Sequence, residues 1–220
     1  MHLLRSRRTI VAVLLVAATL GSGCRSTYYS TWEKLGKHKR DLLRDRVDAG
    51  RDDQREAEEQ FQTTYERFKE ISGYDGGDIE PAYRKLDHEY EECERRAEDV
   101  RDRIESIEQV AADLFEEWEG EIGLIQNSAL RKDSQSKLRA TQKRYAQLIR
   151  SMKLAETRME PVLVAFRDQV LYLKHNLNAQ AVAALDGTAV EIQRDIDQLI
   201  RDLRASITEA DRFIEALERT

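Results

Sequence analysis

His88, Glu89 and Glu92 begin a zinc-protease helix pattern and do not complete it. In that pattern two histidines four residues apart on one helix face hold the metal, and a glutamate serves as base. The place four residues after His88 holds Glu92, so the second ligand is missing. A di-iron helical bundle needs paired Glu-x-x-His motifs projecting inward. The residues three before His38, His88 and His175 are Leu35, Lys85 and Tyr172, so that ligand set is missing too. The chain shows no phosphate-binding glycine loop, no nucleophile elbow and no cysteine cluster. The expectation is a non-enzymatic protein with no metal and no cofactor.

The two cysteines point to different chemistries. Cys24 follows Arg5, Arg7 and Arg8, an apolar run from Thr9 to Leu20, and the small residues Gly21, Ser22 and Gly23. This is the grammar of an export signal, and its apolar run is short of the roughly 20 residues a membrane span needs. An uncleaved anchor is the competing reading. Leu20, Gly21, Ser22, Gly23 and Cys24 resemble a bacterial lipobox, with the leucine four residues before the cysteine instead of three. The resemblance implies acylation of Cys24 and attachment to a membrane through lipid. Arg25 stands where an aspartate would favour inner-membrane retention, which implies the outer membrane where the cell has one. Cys93 is then left without a partner in the chain. It falls in a helical seam, where cysteine behaves as a small hydrophobe; a cross-link between two copies is the alternative.

A third feature is the run from Gln169 to Leu185, in which Lys174 is the only charged residue. Within it Lys174, His175, Asn176, Asn178 and Gln180 form a candidate interaction surface. The same run would also arise where a helix is packed against several neighbours with its amides satisfied internally.

The elements that must position these residues are helices. Charged residues make up 35% of the 220-residue chain, aromatics 7%, and there are two prolines. That is the profile of long solvated helices with narrow apolar seams. The predicted organisation is a signal peptide over 1–23, a lipidated N-terminus and tether over 24–27, and one helical domain over 28–220. Helices are predicted over about 28–72, 79–126, 131–185 and 188–218. Their seams alternate steps of four and three, the signature of a left-handed supercoil. The first runs through Leu43, Val47, Gly50, Gln54, Ala57, Phe61, Thr64, Phe68 and Ile71. The second, the clearest, runs from Ile79 to Ile125 through Cys93, Leu114, Trp118 and Glu121. The third passes Leu138, Tyr145, Met152, Met159, Phe166, Leu173 and Leu177, with Pro161 expected to kink it. Asp186 and Gly187 are read as its end, with Thr188 and Glu191 as a capping box for the fourth. Asp78 is read as the N-cap of the second helix. Short connections imply antiparallel neighbours. The fold class is all-α, an elongated antiparallel bundle of about four long coiled-coil-like helices.

The formal charge is −6. Removal of Arg5, Arg7 and Arg8 with the signal leaves −9, which argues against nucleic acid as a partner. From Asp78 to Glu121 there are 17 acidic and 6 basic residues; from Arg131 to Arg158 there are 9 basic and 2 acidic. An antiparallel hairpin would set these opposite charges side by side. A basic face binding an anionic partner is the alternative.

Several segments carry a family resemblance: His38 to Asp41, Leu114 to Trp118, Pro161 to Leu163, and above all Leu173, Lys174, His175, Asn176, Leu177, Asn178, Ala179 and Gln180. Together they resemble DUF2959, a family of bacterial envelope proteins known as a domain of unknown function. The resemblance covers nearly all of the chain after the signal and transfers no activity. The expected role is therefore an envelope lipoprotein facing the periplasm, a scaffold or interaction rod that binds a protein partner or a second copy through its helices. A periplasmic chaperone-like or ligand-binding bundle is the alternative.

Overall fold

The structure is a computed structural model that describes residues 39–73 and 78–219. It contains four α-helices: α1 (Lys39–Ser72), α2 (Glu80–Leu124), α3 (Ser128–His175) and α4 (Ala179–Glu218). No strand occurs among the described residues. From Leu43 onward the chain makes one compact unit. The predicted signal, Cys24 and the predicted start of the first helix lie outside the described residues.

The helices form because each carries one apolar stripe that water disfavours, and they stay long because charged residues solvate the remaining faces. All nine predicted seam positions of α1, from Leu43 to Ile71, are buried. In α2 the seam is buried from Leu86 to Leu114, after which Trp118 is half-buried and Glu121 is exposed. Ile122 takes the buried place instead, because the carboxylate of Glu121 would lose its hydration there. At 1.5 Å per residue α2 spans roughly 70 Å.

Named contacts fix the register between neighbours. Arg103 Nε donates to Asp53 Oδ2 at 2.7 Å, and Arg96 pairs with Glu56 at 2.5 Å, so α1 and α2 run antiparallel. Lys153 pairs with Glu108 at 2.6 Å, and the Phe115 and Tyr145 rings meet edge to face at 5.4 Å. These contacts set α3 antiparallel to α2. Arg158 with Asp202 and Tyr145 with Phe213 do the same for α3 and α4. Arg51 with Asp211 at 3.1 Å and Arg204 with Glu58 at 2.7 Å close α4 onto α1. The result is an up-down-up-down bundle.

Gly50 of α1 packs closely against side chains of both α2 and α3. A Cβ added there would lie 3.0 Å from Arg103 Cγ, Ile107 Cδ1 and Met152 Cε. Four positions along the same seam, Gln54 is fully buried, and neither atom of its amide has a hydrogen-bond partner among the described residues. Ser206 on α4 is buried in the same condition.

Helix ends follow local hydrogen bonding. Asp78 Oδ1 accepts the Glu80 N–H at 3.1 Å, although Ile79 holds the N-cap position and itself offers no side-chain cap. Asn127 Oδ1 accepts from Ala129 N at 2.9 Å and Leu130 N at 3.2 Å, starting α3 three residues before its predicted beginning. Pro161 does not end α3, which continues to His175.

The largest correction concerns the end of the third helix. It stops at His175, and the reversal is made by residues 176–178, not at Asp186 and Gly187. Asn176 has φ −137° and ψ 59°, outside the helical region, and its Nδ2 donates to the Tyr172 carbonyl at 2.9 Å. Asparagine competes in this way for backbone partners that would otherwise extend the helix. Asp186 and Gly187 lie inside α4. Thr188 Oγ1 donates to the Leu185 carbonyl at 3.0 Å, a bond within the helix, so the predicted capping box is not formed.

Two glycine substitutions test this arrangement. Gly187→Ala should raise stability by about 0.5–1 kcal/mol, because glycine in a helix interior is costly and nothing lies within 4 Å of the new Cβ. A loss of stability there would restore the predicted break. Gly50→Leu should lower stability by about 1–3 kcal/mol through overpacking. Thermal or urea denaturation monitored by circular dichroism reads both.

Candidate functional site

The residues predicted as an interaction surface form the α3–α4 turn. Lys174 and His175 are the last residues of α3 and both are exposed. The Asn176 N–H donates to the Leu173 carbonyl at 3.0 Å, and the Asn178 N–H donates to the Asn176 carbonyl at 2.9 Å. The Asn178 carbonyl then accepts the Val182 N–H at 3.3 Å, in the first turn of α4. Asn176 is half-buried and Asn178 exposed; the side chain of Gln180 lies outside what the structure describes. Asn176 thus ends α3 through its backbone and its side chain, and the Asn178 carbonyl starts α4, roles that the apolar spacing continuing across them conceals.

Coverage on several faces does not explain the low charge of residues 171–177. Leu171, Tyr172 and Leu177 are exposed to 49%, 42% and 38%. Leu177, expected in the seam, falls in the turn instead. Leu173, Val182 and Leu185 are buried and hold the two helix ends together. The exposed side chains of Leu171, Tyr172, Lys174 and His175 thus share the end of α3 next to the turn.

A second polar group lies inside the bundle, between α1 and α2. Thr64 Oγ1 and Cys93 Sγ are 3.0 Å apart. Thr64 Oγ1 also lies 3.0 Å from the Gln60 and Glu89 carbonyls, and Gln60 Nε2 donates to Glu89 Oε2 at 2.7 Å. Cys93 is fully buried, as its seam position predicts. Burial pushes its thiol up to about 12, against a smaller opposing effect of the Thr64 hydrogen bond. A thiolate is the reactive form, so this cysteine is a packing residue.

Grooves and histidines gather little chemistry. A surface groove of about 410 Å³ between α1 and α2 is lined by Asp53, Asp99, Asp102, Arg103 and Ser106. Arg103 already engages Asp53 there. His88 and His175 are both exposed, His88 on α2 and His175 at the far end of α3. Among the described residues no group of three or more His, Cys, Asp or Glu side chains is placed to hold a metal ion. None of the described helices is long and apolar enough to cross a membrane.

The buried thiol yields a pH prediction. A folded-state value near 12 lies above the ordinary 9.0. Its contribution to stability is therefore complete below about pH 9 and is lost as pH rises toward 12. Tyr145, pushed up to about 12 by burial and then by Glu108, acts in the same direction. Iodoacetamide at pH 8 should label Cys93 only as fast as the bundle unfolds, and the alkaline loss of stability should be smaller in Cys93→Ala. Rapid labelling of the folded protein would overturn the assignment.

Comparison with curated proteins and with solved structures finds no match. A family sequence profile described as "Protein of unknown function (DUF2959)" matches residues 28–217, and by this match the chain belongs to that family.

Proposed function

We propose that this protein is a non-enzymatic lipoprotein of the bacterial envelope, anchored through Cys24, whose helical bundle serves as a scaffold or protein-interaction rod. The observation that carries the non-enzymatic part is where the reactive side chains stand. Cys93, Thr64, Gln54 and Ser206 are buried in seams between helices, while His88 and His175 stand apart on the surface. The anchor is supported by the basic, apolar and small-residue order that precedes Cys24. One acyl chain holds a protein to a membrane only marginally, and two or more hold it firmly, which suits a diacylated, further acylated N-terminal cysteine. Arg25 directs the proposal to the periplasmic face of the outer membrane.

The interaction role is supported by the α3–α4 turn. Leu171, Tyr172 and Leu177 are exposed beside Lys174 and His175, an apolar group with a polar border of the kind that protein contacts use.

Two experiments test the proposal. The protein from native membranes should partition into detergent and carry acyl mass on Cys24, whereas Cys24→Ala should stay in the aqueous phase. An unmodified Cys24 in the native protein would sink the anchor. Proximity cross-linking in the cell should lose its captured proteins in the Leu171→Ala/Tyr172→Ala/His175→Ala variant, with the melting temperature within a few degrees of the parent because all three side chains are exposed. Unchanged capture would remove the turn from the interaction surface.

A further inference from the structure

The outward faces of α2 and α3 carry opposite charge in matching frames. On α2, Glu105, Glu116 and Glu119 follow the steps of four and three through Gln109 and Ala112, and all are exposed. On α3, Arg139, Lys143 and Arg150 follow the same steps through Ala146, and all three are exposed. None of these six side chains is in an ion pair among the described residues. The intramolecular pairs that do bridge the hairpin are few. One joins Lys153 to Glu108, and a second, Arg101 with Glu156, has the opposite polarity to the predicted one.

The register sets these charges at common heights. Lys153 with Glu108 and Phe115 with Tyr145 align the two helices, and Gln142 Nε2 donates to Glu119 Oε1 at 3.2 Å. Lys143 therefore stands within about 3 Å of the height of Glu116, and Arg139 within about 5 Å of that of Glu119, at 1.5 Å per residue. Arg150 lies within roughly 8 Å of the height of Glu105 at 1.5 Å per residue, a reach that two long side chains span.

We infer that the α2–α3 face is a self-complementary docking surface for a second copy of this chain. A two-fold axis parallel to the helices lays α2 of one copy on α3 of the other and preserves height. Each acidic row then meets a basic row, twice over, as an isologous contact requires. A polyanion fits this face poorly. Laid on α3, it would bring its charges within about 10 Å of the acidic row on α2, a helix spacing comparable to the screening length at physiological salt. The surface offers few apolar side chains, and exposed ion pairs are individually weak. The dimer is accordingly weak and sensitive to salt, and it does not depend on the proposed anchor.

The test uses the full chain in detergent micelles, followed by sedimentation velocity. The parent should self-associate at about 50 mM NaCl and weaken at least about tenfold at about 500 mM, as screening shortens. Arg139→Glu/Lys143→Glu/Arg150→Glu should be monomeric, and so should Glu105→Lys/Glu116→Lys/Glu119→Lys. Mixing the two variants should restore a dimer containing one of each, which association through the N-terminal segment or a general loss of folding would not produce. A parent that is monomeric at low salt overturns the inference. So do variants that associate like the parent, or a mixture that stays monomeric. If either variant fails to fold by circular dichroism, the salt dependence of the parent decides. Binding of the parent to phosphatidylglycerol vesicles that is lost in the base-reversed variant, with sedimentation unaltered, assigns the face to an anionic surface and rejects the dimer.

Discussion

A helix the length of α2 has one apolar stripe and a charged remainder, and alone in water it would leave that stripe uncovered. Every other feature of the bundle answers to this constraint. The stripe must be covered from Leu86 to Leu114, which takes α1 on one side and α3 on the other. Coverage must also be close, since an apolar contact loses its dispersion energy within an ångström of separation. Gly50 supplies the closeness: with no Cβ, α1 can bring its backbone against Arg103, Ile107 and Met152. The long ladder of seam residues then fixes the register at which charges and caps come together.

Much of this was legible in the sequence because a 3.5-residue pattern survives folding unchanged. Leu43, Phe61, Phe68, Leu114, Met152 and Phe166 were readable as core from spacing alone, and all are buried. The predicted end of the first helix near residue 72 was readable too, and that helix stops at Ser72. The α3–α4 turn was not, and the reason is physical. Leu173 and Leu177 continue the heptad across it, while Gly187 resembles a terminating glycine. Spacing records what an apolar face would do if the helix went on. It does not record whether an asparagine side chain takes over the carbonyl of Tyr172. Spacing likewise offers residues 174–180 as a surface or a core, whereas the backbone of 176–178 makes a reversal.

Charge was legible as segregation but not as pairing. The acidic run on α2 and the basic run on α3 do fall on adjacent antiparallel helices. Yet Arg96 and Arg103 of α2 reach across to α1, to Glu56 and Asp53, and Arg101 pairs with an acidic residue of α3, Glu156. On α3, Lys153 reaches Glu108 of α2, Arg158 reaches Asp202 of α4, and Arg139, Lys143 and Arg150 are exposed. A sequence count sums charges over a whole helix, whereas pairing depends on which quarter of its circumference each one occupies. The two rows left without ion pairs on the outward face are a product of that geometry.

The way the bundle closes has a mechanical consequence. Contacts between α1 and α2, α2 and α3, and α3 and α4 join neighbours in the chain, and each can form as a local hairpin. The seam between α1 and α4 joins residues 160, 146 and 128 positions apart, through Arg51 with Asp211, Arg204 with Glu58, and Tyr65 with Gln193. Bringing such distant segments together carries the largest loop-closure entropy, so this seam closes last in folding. Any tension transmitted through the chain before Lys39 enters the bundle by α1. The helix that takes the load is thus the one held on one side by the last seam to form, and stretching should part α1 from α4 before it disturbs the α2–α3 hairpin.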